Sequence, residues 1–203
     1  MFDGRLRGLI DPPLDRVGAA LAQRGASADA MTLFGLVLGL GCALAVAQGA
    51  DAVALALLGA SRLCDGLDGA IARATRPSDR GGFLDITCDF VFYGAAPLAF
   101  ALRDPAFALP AAVLLFSFYV NGASFLAFAI MAAKRGLTTT ARGTKSLYFT
   151  AGLAEGGETI ACFAAMMLWP SLFPELAYGF AALTLITALS RAILAWKTFA
   201  EAS

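Results

Sequence analysis

Four carboxylates dominate the chemistry this chain could do: Asp65, Asp68, Asp85 and Asp89, in the stretch DGLDGAIARATRPSDRGGFLDITCD. The first pair is spaced i, i+3 and the second i, i+4, so each pair shares one face of a helix. Four acids brought together repel, and each Asp near a bilayer centre costs about 2.5–3.5 kcal/mol on insertion scales. Arg62 and Arg73 can offset part of that charge. Divalent cations would offset the rest, and carboxylate oxygens suit Mg²⁺ or Mn²⁺. Two such ions about 3.5–4 Å apart are a known device for phosphoryl chemistry. The competing reading is structural, with the acids pairing only with Arg62, Arg73, Arg76 and Arg80.

Positioning these acids takes two helices and a turn. Thr75 to Arg80 is polar, and Pro77 within it breaks a helix. Apolar sequence flanks the unit on both sides, which predicts an antiparallel hairpin with two acids on each arm. At about 1.5 Å per residue, Asp65 lies roughly 13 Å from the turn and Asp89 roughly 12 Å, with Asp68 and Asp85 nearer to it. The four carboxylates are thus expected to converge at one level.

The surrounding chain is greasy. Of 203 residues, 59% are hydrophobic and 15% charged, and mean hydropathy is +0.74. This composition predicts an all-α integral membrane protein of one domain, residues 1–203. The formal net charge is zero, so no bulk field draws nucleic acid. There is no histidine, which excludes a phosphohistidine intermediate, His-ligated zinc and a Ser-His-Asp triad.

Residues 1–30 lack a continuous apolar core and a signal-peptide pattern. Pro12 and Pro13 can start a helix, Leu14, Val17 and Leu21 share a face, and Gly25 can end it. This reads as an amphipathic helix lying in the interface. Residues 31–198 then hold six candidate membrane helices, about Met31–Gln48, Ala52–Ala74, Gly82–Leu102, Phe107–Ala133, Leu147–Trp169 and Leu176–Trp196. The second is apolar only to Cys64, so its other half must face protein or a wet cavity. Of the basic residues, only Arg62, inside a helix, and Arg103 fall away from one side of this arrangement. The positive-inside rule therefore puts both termini and the acid cluster in the cytoplasm. Cys42, Cys64, Cys88 and Cys162 lie in expected helices without metal-ligand spacing and read as small packing residues. Gly35/Gly39 and Gly152/Gly156 permit close helix approach, within the bundle or across a homodimer face.

At the acid hairpin the sequence resembles a family. Asp65, Asp68, Gly69, Ala72, Arg73, Gly81, Asp85 and Asp89 match the D-x-x-D-G-x-x-A-R…G-x-x-x-D-x-x-x-D signature of the CDP-alcohol phosphatidyltransferases. Seven residues separate Arg73 from Gly81, a shorter loop than the family usually has. The segment KSLYFTAGLAEGGETI, with DITCDFVFY before it, looks like a bacterial inner-membrane branch, and DITCDF departs from the DPIADK common in phosphatidylglycerophosphate synthases. The resemblance implies metal-dependent phosphatidyl transfer from CDP-diacylglycerol to a small polar alcohol, with release of CMP. It implies Asp65, Asp68 and Asp85 as main ligands of Mg²⁺ or Mn²⁺, two ions in all. Asp89 becomes the general base, also close to a metal, and Gly69, Arg73 and Gly81 hold the CDP moiety.

Asn121, Glu155 and Glu158 lie in apolar surroundings. They would orient the acceptor, or the glutamates would pair with Arg191 or Lys145. The basic stretch from Lys134 to Lys145 follows from topology alone or binds a phosphate on the acceptor. Two alternatives stand beside phosphatidyl transfer: a soluble CDP-alcohol donating to diacylglycerol, and a transporter using the acids as a cation site. Arg73 and the paired glycines speak against the transporter.

Overall fold

The structure, a computed structural model, describes residues 3–137 and 156–200, all helices and short turns. Among the described residues seven α-helices follow one another: α1 (Asp3–Gln23), α2 (Ala28–Ala47), α3 (Asp51–Ala74), α4 (Asp79–Arg103), α5 (Ala108–Lys134), α6 (Gly156–Leu168) and α7 (Phe173–Ala200). Single 3₁₀ turns at Pro105–Phe107 and Pro170–Leu172 lead into α5 and α7. Among the described residues four segments are long and apolar enough to cross a membrane: Ala28–Ala47, Asp79–Arg103, Pro105–Lys134 and Pro170–Ala200. α3 has the length, at 24 residues, but its acid half is too polar to count among them. The described part of the fifth expected helix begins at Gly156; residues 147–155, with Gly152 and Glu155, lie outside the described residues, as do Arg142 and Lys145.

Helix ends follow local chemistry. Gly25, Gly49 and Gly136 all have positive φ, which costs glycine nothing. At the end of α1, Ala26 N–H donates to Leu21 C=O at 3.0 Å and Gly25 N–H to Ala22 C=O at 2.9 Å. This is a Schellman closure on the glycine expected to stop that helix. The start of α1 differs from expectation: the helix passes through Pro12 and Pro13 and begins at Asp3. Each proline forfeits one i→i−4 bond, but its fixed φ is itself helical, so the chain can continue past it.

Small residues set the packing. α2 lies against both α3 and α4, while α3 and α4 approach each other's backbone at few points. A Cβ on Gly35 would sit 3.2 Å from Cys64 Cβ of α3, and one on Gly39 would sit 2.9 Å from the Phe92 ring of α4. This glycine pair therefore serves packing inside the chain. α1 seats on α3 still more closely: a Cβ on Gly18 would fall 2.5 Å from Ala70 Cβ and 2.9 Å from its backbone carbon. α5 packs on α4 and α7. The core beneath the acids is aromatic, with Phe163 edge-on to Phe92 and Phe118, and Phe100 stacked on Phe173 at 4.2 Å. Cys42, Cys64 and Cys88 are buried free thiols, and Cys162 is half-buried.

Many other large apolar side chains point outward. Val37, Leu44, Leu102, Tyr119 and Trp196 are among many exposed ones. Small residues where helix backbones meet and many large apolar ones on the outer face is an arrangement a lipid solvent permits. The chain is an all-helical membrane protein.

Candidate metal centre

Helical spacing carries Asp65 and Asp68 on one face of α3, and Asp85 and Asp89 on one face of α4. α4 starts at Asp79, three residues ahead of the expected Gly82, because Ser78 caps it, its hydroxyl accepting from Gly81 N–H at 3.1 Å. Across the gap, carboxylate oxygens of Asp65, Asp68 and Asp85 lie within 4.8 Å of one another. Asp68 is the buried member, 6% exposed. Its Oδ2 accepts from Thr32 Oγ1 of α2 at 2.6 Å, so a third helix fixes its orientation.

Asp89 stands beside this group of three. Its Oδ1 accepts from Arg62 Nη1 at 3.0 Å, and the same nitrogen is 3.7 Å from Asp65 Oδ1. The four acids thus share one region, but three gather and the fourth is held by an arginine. Thr32, Gly35, Ser61, Arg62, Asp65, Asp68, Cys88 and Asp89 line one recess between α2, α3 and α4.

The donor set tests whether a metal fits. Three carboxylates from two helices, one buried, offer only hard anionic oxygens at chelating separation. Carboxylates at that distance repel one another, and a cation between them would offset that repulsion. The set fits a hard divalent ion and suits no soft one.

The residues expected to face a nucleotide lie toward the turn. A Cβ on Gly69 would meet Arg73 Nη1 at 3.3 Å, a tight contact, so the arginine side chain lies over the α3 backbone there. Arg73 is half-exposed, and its Nε and Nη2 donate to Asp15 Oδ1 of α1 at 3.0 and 2.6 Å. A Cβ on Gly81 would meet Ser78 Oγ at 3.2 Å and Asp29 Oδ1 at 3.3 Å. Arg80 donates to that same Asp29, tying the turn to the start of α2.

Farther off, between α5 and α7, Arg191 is 7% exposed. Its Nη1 donates to Asn121 Oδ1 at 2.8 Å, Asn121 C=O at 3.1 Å and Ser124 Oγ at 2.8 Å. Sequence reasoning singled out Asn121 and Arg191 without joining them. It missed Thr32, Asp15 and the Arg62–Asp89 bridge. Thr32 lies thirty-six residues from its partner, and no short-range spacing announces such a pairing.

Comparison with known proteins agrees with this geometry. The chain is 41% identical to the inner membrane protein YnjF of Escherichia coli K12 over 192 residues, 94% of this chain and 93% of that one. It is 40% identical over 85 residues to the archaetidylinositol phosphate synthase of Methanothermobacter thermautotrophicus, 41% of this chain and 40% of that one. The fold matches the crystal structure of phosphatidylinositol phosphate synthase from Mycobacterium tuberculosis with CDP-DAG bound. The TM-score is 0.71 at 21% identity, over 90% of this chain and 93% of that one. A second crystal structure of that synthase, with manganese and citrate, matches with the same TM-score and covers 88% of its chain. The sequence pattern of the CDP-alcohol phosphatidyltransferases matches residues 26–196. The chain belongs to that family of membrane-embedded, divalent-metal-dependent transferases.

Proposed function

We propose that this enzyme transfers a phosphatidyl group from CDP-diacylglycerol to the hydroxyl of a small polar alcohol. The observation that carries the reading is the gathering of Asp65, Asp68 and Asp85 within 4.8 Å, with Asp89 in the same recess. Asp65, Asp68 and Asp85 would hold Mg²⁺ or Mn²⁺, two ions with help from Asp89. Bound there, the metal neutralises diphosphate charge and polarises its oxygens. The bound CDP-DAG and manganese in the mycobacterial structures support this choice of donor and metal.

The protein's own groups do the rest. Gly69 and Gly81 carry no side chain of their own between the helix backbones and the CDP moiety, and Arg73, which lies over Gly69, offers a planar donor to phosphate. Asp89 takes the acceptor's proton. The freed oxygen attacks the phosphorus that carries diacylglycerol, forming a P–O bond as the bond to the CMP oxygen breaks in line. CMP departs with the electron pair of that bond. No acyl or phosphoryl enzyme forms.

The reading includes a single domain with six spans, α2 to α7. α1 lies in the cytoplasmic interface, and both termini and the recess face the cytoplasm of a bacterial inner membrane. The basic residues of the α3–α4 turn and of the α5 end support that orientation.

Purified protein with CDP-diacylglycerol, Mn²⁺ and a panel of alcohols should release CMP only when donor and acceptor are both present. Asp89→Asn should lose about 10²–10⁴-fold in turnover while still binding donor. A stoichiometric CMP burst without acceptor would overturn direct attack. CMP release from CDP-alcohols with diacylglycerol instead would reverse the donor and acceptor roles.

A further inference from the structure

We propose that Arg62 is a positioning residue: a strut across the α3–α4 gap that sets the heading of the Asp89 carboxylate. The proposal rests on the reading of Asp89 as the base. α2 packs against both α3 and α4, which have few backbone contacts with each other, so across the gap at the depth of Asp89 the two helices meet through side chains. Arg62 spans that gap from α3. Its Nη1 donates to Asp89 Oδ1 of α4 at 3.0 Å. Its Nη2 donates to Ser61 Oγ at 3.2 Å, and Ser61 Oγ donates to Gly35 C=O of α2 at 2.8 Å. The guanidinium lies 5.0 Å from the centre of the Phe92 ring, one helical turn from Asp89 on α4. One planar group thus registers three helices at the recess.

The cost of this arrangement is visible. Arg62 Nε is buried and meets no hydrogen-bond partner among the described residues. A buried donor without a partner is expensive, and such exceptions call for an explanation. Here the orientation that aims Nη1 at Asp89 and lays the plane on Phe92 leaves Nε without one. Lysine could supply the charge, but it has neither the planar face nor the fork.

The test uses the full-length protein, CDP-diacylglycerol, Mn²⁺ and the alcohol that supports CMP release in the wild type. Arg62→Ala should lose about 10²-fold in kcat, within the range of general-base catalysis. KM for CDP-diacylglycerol and the affinity for Mn²⁺ should stay within about threefold, the pattern of an interaction that matters only at the transition state. Arg62→Lys should be intermediate, and added guanidinium at non-denaturing concentration should partly restore Arg62→Ala. Arg62→Ala/Asp89→Asn should be no slower than Asp89→Asn alone. Unchanged kcat in Arg62→Ala, loss of Mn²⁺ affinity in step with kcat, or multiplicative losses in the double variant would each overturn the proposal. If the wild type releases no CMP with any alcohol, the assigned reaction fails, and thermal melting decides the strut by itself. A double variant melting above Arg62→Ala supports the bridge, and additive losses reject it.

Discussion

The two ends of the α3–α4 pair are tied in different ways. At one end, Arg103 donates to both carboxylate oxygens of Asp51, and the neighbouring interior is apolar. Phe100 and Phe173 are fully buried there, and Phe107 packs on Phe173 at 5.1 Å between centroids. At the other end, Arg62, Asp65, Asp68, Asp85, Asp89 and Thr32 meet in an open recess. The first end holds its helices by shape and a closed ion pair. The second holds them by charges that the proposed metal and substrate would have to reach. One helix pair can therefore be rigid at one end and reactive at the other.

The largest expected effect lies at the reactive end. Asp65→Asn, Asp68→Asn and Asp85→Asn should each abolish transfer and weaken Mn²⁺ binding, read by electron paramagnetic resonance, with melting little changed. Near-normal activity in two of them at limiting metal would break the contrast. At the dry end the pattern should invert. Phe100→Ala should cost about 3–5 kcal/mol of stability through the cavity it leaves, while the protein that remains folded keeps its kcat. Thr32→Val sharpens the boundary between the two ends. It removes the hydroxyl that orients Asp68 and should weaken Mn²⁺ binding by about 10–100-fold, the usual cost of losing such a partner. Smallest of all, Tyr119→Leu on the lipid-facing side should change stability by no more than about 0.5 kcal/mol.

Much of this was legible in the order of residues. α2, α3 and α4 begin and end within three residues of where hydrophobic runs and Pro77 place them. Helical spacing also puts the two acid pairs on facing sides. Local rules reached that far because capping, periodicity and turn chemistry act over a few residues. They stopped at the partition of the acids. Arg62 precedes Asp65 by one turn, which suggests local neutralisation, yet its shorter contact is to Asp89 on another helix. Arg73 shows the same limit, since its partner Asp15 comes from α1. Such pairings depend on how helices sit together, and that depends on small residues such as Gly35 and Gly39 whose partners no sequence window contains. The prolines of α1 misled for a different reason: a favourable start position does not oblige a helix to start there.

The seating of α1 has a consequence for heredity. At Gly18 a single added methyl would meet the backbone of Ala70 and Ile71, and a helix backbone cannot step aside as a side chain can. A Gly18→Ala allele would therefore lift α1 and carry Asp15 away from Arg73, though residue 18 touches no reactive group. In a survey of inherited variants, position 18 would score with the acids rather than with the membrane-facing positions around it. Suppressors of such an allele should map to Ala70, where Ala70→Gly returns part of the space, and not to the recess.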